Sequence, residues 1–158
     1  MQEMSASSND NAGGLLIART LLENQMYGCL ATHSQHLEGF PFASLVSYIL
    51  DEGMPIILVS RLAEHTKNIV IRSQVSLLVT EGALSSTDQN RQALSRLSLF
   101  CLVEPLLESQ LSDVSARYYR TFPEMQDFHR TLDFSFFRLV PQKALLVQGF
   151  GRVGWVQF

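Results

Sequence analysis

The chain has 158 residues, a net charge of −3, and contents of 46% hydrophobic and 17% charged residues, which is ordinary for a single globular domain. The negative charge argues against a surface that binds duplex nucleic acid, and no apolar run is long enough to span a bilayer. Because the first basic residue is Arg19, no charged region precedes an apolar one as it would in a secretory signal. We therefore expect a cytoplasmic protein with no nucleic-acid or membrane partner.

The first residues differ in composition from the rest of the chain. Residues 1–14 are rich in Ser, Asn and Gly and are predicted to form a mobile tail, followed by one domain over residues 15–158. Leu15, Ala18 and Leu22 recur at helical spacing, so a helix is expected over residues 15–24.

Apolar and alternating runs predict that most of the remaining chain is β-structure. Polar or Gly/Pro-containing segments separate these runs, and residues 81–92 have the composition of a surface loop. The predicted strands cover residues 26–32, 40–50, 56–59, 74–80, 96–104, 134–140 and 144–147, with a turn at 141–143 and an edge strand within 149–155.

Three helical segments interrupt the strands: one that ends near Arg72, one that begins at an N-cap Ser109, and a short one over residues 124–130. Because most strands are joined as hairpins and only one short helical crossover is present, we expect a mainly β (α+β) fold, an antiparallel barrel of six to seven strands. Cys29 and Cys101 lie in apolar runs, which indicates buried free thiols rather than a disulfide.

The segment Ser60–Asn68 joins the third predicted strand to a helix and carries the densest set of polar side chains. A helix N-terminus presents free N–H groups and the positive end of a dipole, so it can bind an anion. Arg61 and Lys67 could add charge-assisted hydrogen bonds to a phosphate. The alternative is that Ser60 caps the helix, Thr66 packs under it and the charges are solvated.

Other motifs give no protein-only catalytic set. The sequence 149–154 spells G-x-G-x-x-G, but no helix can follow it in the residues that remain, so we reject a dinucleotide site. His33, His36 and His129 are interpreted as solvent-exposed, whereas His65 lies inside the polar turn. If the protein is an enzyme, a cofactor is expected to supply its chemistry.

Several runs, in this order and spacing, resemble the pyridoxamine 5′-phosphate oxidase-like FMN-binding split barrels, and most closely their HugZ-type haem-utilisation branch. The resemblance extends from about Leu15 to Val156. The runs are GFPFASLVSY at 39–48, LVSRLAEHTKN at 58–68, VSLLV at 75–79, ALSRLSL at 93–99, FFRL at 136–139 and GFGR at 149–152.

This resemblance implies a homodimer with FMN at the subunit interface. The turn after the third strand would hold the phosphate and ribityl chain, the second strand would run past the flavin ring, and a residue of the later strand would add a polar contact. The cofactor-binding residues implied are Ser44, Leu45, Val46, Ser47, Tyr48, Ser60, His65, Thr66, Lys67, Asn68 and Arg96.

Three functions follow as hypotheses. The first is an FMN-dependent oxidoreductase acting on an unidentified small molecule, and a deazaflavin remains an alternative cofactor. The second is a haem-binding or haem-degrading protein on the same barrel, with His65 as the candidate iron ligand. The third is a barrel without a cofactor that serves as an interaction module.

Overall fold

Seven antiparallel strands form one sheet in the computed structural model of the chain, which describes residues 8–82, 94–127, 133–149 and 151–158. Six of them close into a barrel in the order β3-β2-β1-β4-β5-β6, because β3 also pairs with β6, and β7 adds to the outer edge of β6. The predicted barrel is therefore confirmed. The strands are β1 Tyr27–His33, β2 Pro41–Asp51, β3 Met54–Ser60, β4 Gln74–Thr80, β5 Arg96–Pro105, β6 Phe134–Gln148 and β7 Arg152–Val156.

Among the described residues, three helices of eight residues or more decorate the barrel: α1 Ser8–Asn24, α2 Glu64–Ile71 and α3 Glu108–Thr121. Helix α1 begins earlier than predicted, so residues 8–14 of the predicted tail are helical, and residues 1–7 lie outside the described part. Helix α3 begins after Leu107, and the prediction of Ser109 as its N-cap is wrong. Most of the predicted loop 81–92 and the end of the predicted helix 124–130 also lie outside the described residues.

Strand β6 is continuous where the sequence predicted two strands and a turn. Its pairing with β5 shifts by one residue, since Phe100 opposes Lys143 while Cys101 opposes Pro141. Gln142 is thus the extra residue of a β-bulge, a position at which a strand tolerates a proline. The turn predicted at 141–143 is therefore wrong, because the bulge absorbs Pro141 without ending the strand.

Two apolar clusters stabilise the fold. The first fills the barrel and includes Leu30, Leu77, Leu99 and Leu139, all without exposed surface. The second lies outside the barrel wall, where Tyr118 and its neighbours on α3 pack on β3 and β6. Both cysteines are free, with Cys101 buried and Cys29 half-buried. Within the described ranges, no helix is both long and apolar enough to cross a membrane.

Candidate functional site

The polar turn follows β3, whose five central residues are buried. Ser60 ends the strand and its Oγ accepts a hydrogen bond from the Leu62 N–H at 3.1 Å. Helix α2 then begins at Glu64, with Ala63 as an N-cap that makes no side-chain cap bond. The alternative in which Ser60 caps the helix is therefore wrong, because its hydroxyl closes the turn three residues before the cap.

Two side chains in the first turn of α2 carry buried atoms without a hydrogen-bond partner. They are His65 Nε2 and Thr66 Oγ1, and Thr66 is only 3% exposed. Burial lowers the pKa of His65, so its neutral imidazole is favoured. Buried polar atoms in native proteins nearly always have a partner, so these two indicate a place for a water molecule or a polar ligand group.

Asn68, by contrast, has partners for its buried polar atoms. It has no exposed surface, and both the oxygen and the nitrogen of its amide are hydrogen-bonded. Its Nδ2 donates to Thr32 Oγ1 at 2.9 Å, and its Oδ1 accepts from the Gln35 N–H at 2.9 Å. The Gln35 side-chain amide also donates to the Lys67 carbonyl. Asn68 therefore ties α2 to β1 and the loop after it, and a cofactor contact would require these bonds to break.

The two predicted cations of the turn point outward. Lys67 is exposed and forms an ion pair with Glu64 at 3.4 Å. Arg61 is exposed as well, and its Nε donates weakly to Ser135 Oγ at 3.5 Å. Both side chains can therefore bind an anion from solvent, and each would give up only a weak surface contact to do so.

The predicted residues of β2 divide between the two faces of the barrel wall. Ser44, Val46 and Tyr48 face inward, where Tyr48 OH donates to the Leu22 carbonyl at 3.0 Å and Ser44 Oγ is buried without a partner. Leu45 and Ser47 face outward. Val46 and Tyr48 thus belong to the core, and their side chains could reach a ligand only after repacking.

Ser47 is held by a residue that the sequence did not associate with it. Its Oγ lies 2.7 Å from Tyr118 OH on α3, whose ring centroid is 5.0 Å from that of Phe122 and 5.3 Å from that of Phe136. Burial raises the pKa of Tyr118 to about 12, so the phenol stays protonated and can serve as a donor. No local pattern signals this pairing, because the two residues are far apart in the chain.

Arg96 does not join the α2 cluster within one chain. It opens β5 on the outer face, opposite Thr80 at the end of β4, whereas α2 leads into the start of β4 at Gln74. At about 3.3 Å per residue, the length of β4 separates them by roughly 20 Å. The structure therefore brings together Ser60, His65, Thr66 and Lys67, and leaves Arg96 at the far end of the wall.

Comparisons with known proteins agree with this barrel. Over 134 residues the chain is 34% identical to the protein named non-canonical heme oxygenase HOZ, chloroplastic, of Arabidopsis thaliana, which covers 83% of this chain and 39% of that protein. Over 120 residues it is 30% identical to heme oxygenase HutZ of Vibrio cholerae, which covers 73% of this chain and 66% of that protein. The chain therefore spans well under half of the plant relative and about two thirds of the bacterial one.

Solved structures give the same picture. A heme-binding protein from Mycobacterium smegmatis superimposes with a TM-score of 0.77 at 28% identity, over 89% of this chain and 56% of that one. The structure of HutZ from Vibrio cholerae, described there as a heme storage protein, gives a TM-score of 0.66 at 25% identity, over 80% and 88%. The predicted relation to haem-utilisation proteins is thus confirmed, while its FMN part remains a prediction.

The family model described as the CREG beta-barrel matches residues 10–158, which is nearly the whole chain and includes every strand and the polar turn. The chain therefore belongs to the CREG beta-barrel family.

Proposed function

We propose that this chain binds haem and acts in its oxidative degradation. The observation that carries the proposal is its 34% and 30% identity, over most of its length, to two proteins that are named haem oxygenases. One further solved relative is named for haem binding, and the solved structure of HutZ itself is named for haem storage. A cytoplasmic location remains a prediction from the sequence, since the name of the plant relative places that protein in the chloroplast.

The described residues supply part of what haem binding requires. Haem needs an apolar surface for its ring, cations for its two carboxylates, and usually a protein ligand for its iron. Exposed apolar side chains occur on the barrel wall and on α2, and Arg61, Lys67 and Arg72 are exposed near α2. When bound, haem would supply the redox chemistry, and the chain would bind and orient it.

The predicted iron ligand His65 is poorly placed. Its imidazole is favoured in the neutral form that ligates metals, but Nε2 is covered by the chain. An iron atom could reach that nitrogen only if the ring turned out of its site. The geometry therefore counts against ligation of the iron through Nε2 of His65.

An FMN-dependent oxidoreductase is the second candidate, and one observation favours it. Thr66 Oγ1 and His65 Nε2 are unpartnered at the N-terminus of α2, with Lys67 beside them. A phosphate at this helix end would meet free N–H groups, a helix dipole and a cation, and it would contact the two buried atoms only if their side chains turned outward. This candidate ranks second because none of the named relatives described above is named for a flavin.

A homodimer is part of the same proposal and is supported by the outer sheet face, which we define by Tyr27, Leu45, Leu78 and Phe100. Leu45 and Leu78 both stand opposite Cys29 in register, and Phe100 lies two residues beyond Ser98, the partner of Leu78 on β5. All four side chains are exposed, and Leu45 leaves 71% of its surface uncovered. An apolar surface of this kind on a barrel wall is typical of a protein interface.

Parallel titrations with haem and FMN test the function. The proposal predicts a saturable Soret band at one haem per chain or per dimer. In the FMN titration, the absorbance and fluorescence of FMN should stay unchanged or change only at high FMN concentration. Tight FMN binding without a Soret band would favour the oxidoreductase. Binding of neither compound would contradict both and favour an interaction module.

A further inference from the structure

Strand β7 ends the sheet and has a neighbouring strand on one side only. Its five residues pair with residues 144–148 of β6, and in the described part of the chain no strand pairs with its other edge. Four of the five are exposed, and only Val156 is buried. An edge strand of this kind offers unpaired N–H and C=O groups to another strand.

Two hydrogen bonds at the ends of β5 show which way its backbone groups point. The Val103 N–H donates to the Ser73 carbonyl at 2.9 Å, and the Ser95 carbonyl accepts from the Glu81 N–H at 2.7 Å. Ser73 and Glu81 flank β4, so the odd-numbered residues of β5 direct their backbone groups toward β4. Because neighbouring residues of a strand point these groups to opposite sides, Ser98 directs its own toward β6.

The same alternation identifies the free groups of β7. Leu145 is the β6 partner of Ser98, so its backbone groups point to β5 and away from β7. Trp155 is the β7 partner of Leu145, and its N–H and C=O therefore point away from β6, as do those of Val153 two residues earlier. Gly154 lies between them and points its groups to β6. The free edge thus carries two donors and two acceptors.

Gly154 has no role within its own chain that requires a glycine. Gly149 and Gly151, in the turn before β7, have positive φ values, whereas Gly154 does not. A Cβ placed on Gly154 would meet no atom within 4 Å. Glycine weakens a strand, and inside strands it often marks a place where another backbone approaches closely. An approaching strand at this edge would account for it.

The strand is complementary to itself when two copies meet antiparallel. With Gly154 of each copy opposite the other, Val153 stands opposite Trp155 of the partner subunit, and a twofold axis repeats the pair. The free N–H and C=O groups of these residues then form four hydrogen bonds. Val153 and Trp155 leave 62% and 51% of their surfaces exposed in the single chain, and each valine would cover part of a tryptophan ring.

The cations of this arm do not meet in the pairing. Arg152 stands opposite Val156 of the partner subunit, so the two Arg152 Cα atoms lie about 13 Å apart along the strands, at roughly 3.3 Å per residue. That separation exceeds the Debye length of about 8 Å at physiological salt. Lys143 lies over its own Trp155, with Nζ 4.6 Å from the ring centroid, and residues 134–158 contain no Asp or Glu.

We propose that β7 pairs with β7 of a second copy in this antiparallel register and joins the two sheets into one. The inference goes beyond the proposed function and does not depend on haem. Five residues a side bury far less than the roughly 1,200 Å² of a stable interface, so the association is weak and needs a high protein concentration. Combined with a dimer through the outer sheet face, it would link dimers into larger assemblies.

Amide exchange followed by NMR tests the pairing residue by residue. We would use the Leu45→Glu chain, since Phe100 of the outer sheet face lies 5.8 Å from the ring of Trp155 and a dimer through that face could also change its surroundings. Between low micromolar and near-millimolar concentration, the amides of Val153 and Trp155 should exchange at least threefold more slowly. The Gly154 amide, bonded to β6, should be protected at both concentrations.

Variants at Val153 test the same contact by sedimentation velocity. Val153→Pro removes a donor that points away from β6, so it should weaken the association at least tenfold and keep the β6–β7 hairpin. Val153→Lys, at an exposed side chain, places a charge against Trp155 of the partner subunit and should weaken the association similarly if the proline variant does not fold. Val153→Ile keeps the donor and the apolar contact, and as the matched control it should change the association less than twofold.

Three results would overturn the inference: a chain that stays monomeric at near-millimolar concentration, exchange of the Val153 and Trp155 amides that does not depend on concentration, or association that Val153→Lys leaves unchanged. None of them bears on haem binding, which the Soret titration measures separately. Failure of this contact and failure of the proposed function are therefore distinguishable.

Discussion

Asn68 is the residue whose role changes most between sequence and structure. The sequence places it in a polar turn beside Lys67, which predicts a ligand contact, yet it is fully buried between Thr32 and Gln35. The partners lie more than thirty residues earlier in the chain, so no local pattern could reveal them. The polar character of the segment was predictable, whereas the division between buried and solvent-facing polar groups was not.

Replacing Asn68 with Ala should destabilise the fold strongly. The change removes a donor and an acceptor and leaves the Gln35 N–H without its partner, which should lower the free energy of unfolding by about 2–4 kcal/mol. Urea denaturation checks this. Lys67→Ala, on the exposed side of the same turn, is the control and should change stability by less than about 0.5 kcal/mol. A loss below about 1 kcal/mol for Asn68→Ala would show that the hydrogen bonds of Asn68 contribute little to the stability of the fold.

Asp51 forms the most enclosed ion pairs among the described residues. Its carboxylate meets Arg138 at 2.6 Å and also pairs with Arg117. Burial alone would raise the pKa of Asp51, but the hydrogen bonds from Arg117 and Arg138 outweigh this effect and hold the pKa below its ordinary value.

The stabilisation from Asp51 should therefore depend on pH in one direction. A carboxyl whose pKa is lower in the folded state contributes fully above its unfolded pKa of about 4, and the contribution is lost as the pH falls through the folded value. Asp51→Asn should cost on the order of 2 kcal/mol at pH 7 and progressively less below pH 4. Chemical denaturation over pH 3–7 measures this difference, and a cost that does not change with pH would contradict it.

At the scale of single elements, α2 lacks the cap that the sequence offered as one alternative. Ala63 occupies the N-cap with φ −67° and ψ 142°, the extended geometry that Asp or Ser adopts when capping. Ser60, which the sequence offered as an alternative cap, is instead the last residue of β3. The structure inserts a turn stabilised by Ser60 itself before the helix begins.

A cap introduced at the correct position should stabilise the protein. Ala63→Asp would let its carboxylate accept from the free N–H groups of the first turn and favour the helix dipole, raising the free energy of unfolding by about 0.5–1 kcal/mol. The shift of the denaturation midpoint reports it. Ser60→Asp is the comparison and should not stabilise. Equal stabilisation by both variants would mean that the helix starts earlier than the structure shows.

Strands were more predictable than helix ends. The alternation of Leu97, Leu99, Cys101 and Val103 correctly identified the inward face of β5, since all four are buried. The continuity of β6 through Pro141 was not predictable, because a proline is compatible with both a turn and a bulge. Only the pairing with β5 decides between these two, and pairing is a property of the whole sheet.

At the scale of the whole molecule, two surfaces remain apolar and exposed although the barrel interior is already filled with apolar side chains. The outer sheet face exposes large apolar side chains, as helix α2 does at Val70 and Ile71, while the barrel interior is packed with fully buried residues. The sequence indicated neither surface, because apolar residues on both sides of a strand are equally typical of a strand inside a barrel wall. Val70 and Ile71 stand in a segment predicted to be helical, and that prediction does not show whether they face solvent.

The outer sheet face should hold two copies together. Leu45→Glu places a charge where the proposal has a buried contact and should convert a dimer into a monomer, as measured by light scattering after gel filtration. Leu16→Glu, at a comparably exposed position on α1, should leave the dimer intact. A monomer in the unchanged chain at micromolar concentration would contradict the proposed dimer.

The most direct test of the central claim is turnover of bound haem. The chain loaded with one equivalent of haem is given ascorbate and oxygen in the presence of catalase, and the Soret band and chelated ferrous iron are followed together. The account predicts that the Soret band is lost with release of about one iron per haem, at least tenfold faster than for the same haem on serum albumin. A stable Soret band, or loss no faster than on albumin, would contradict a role in haem degradation.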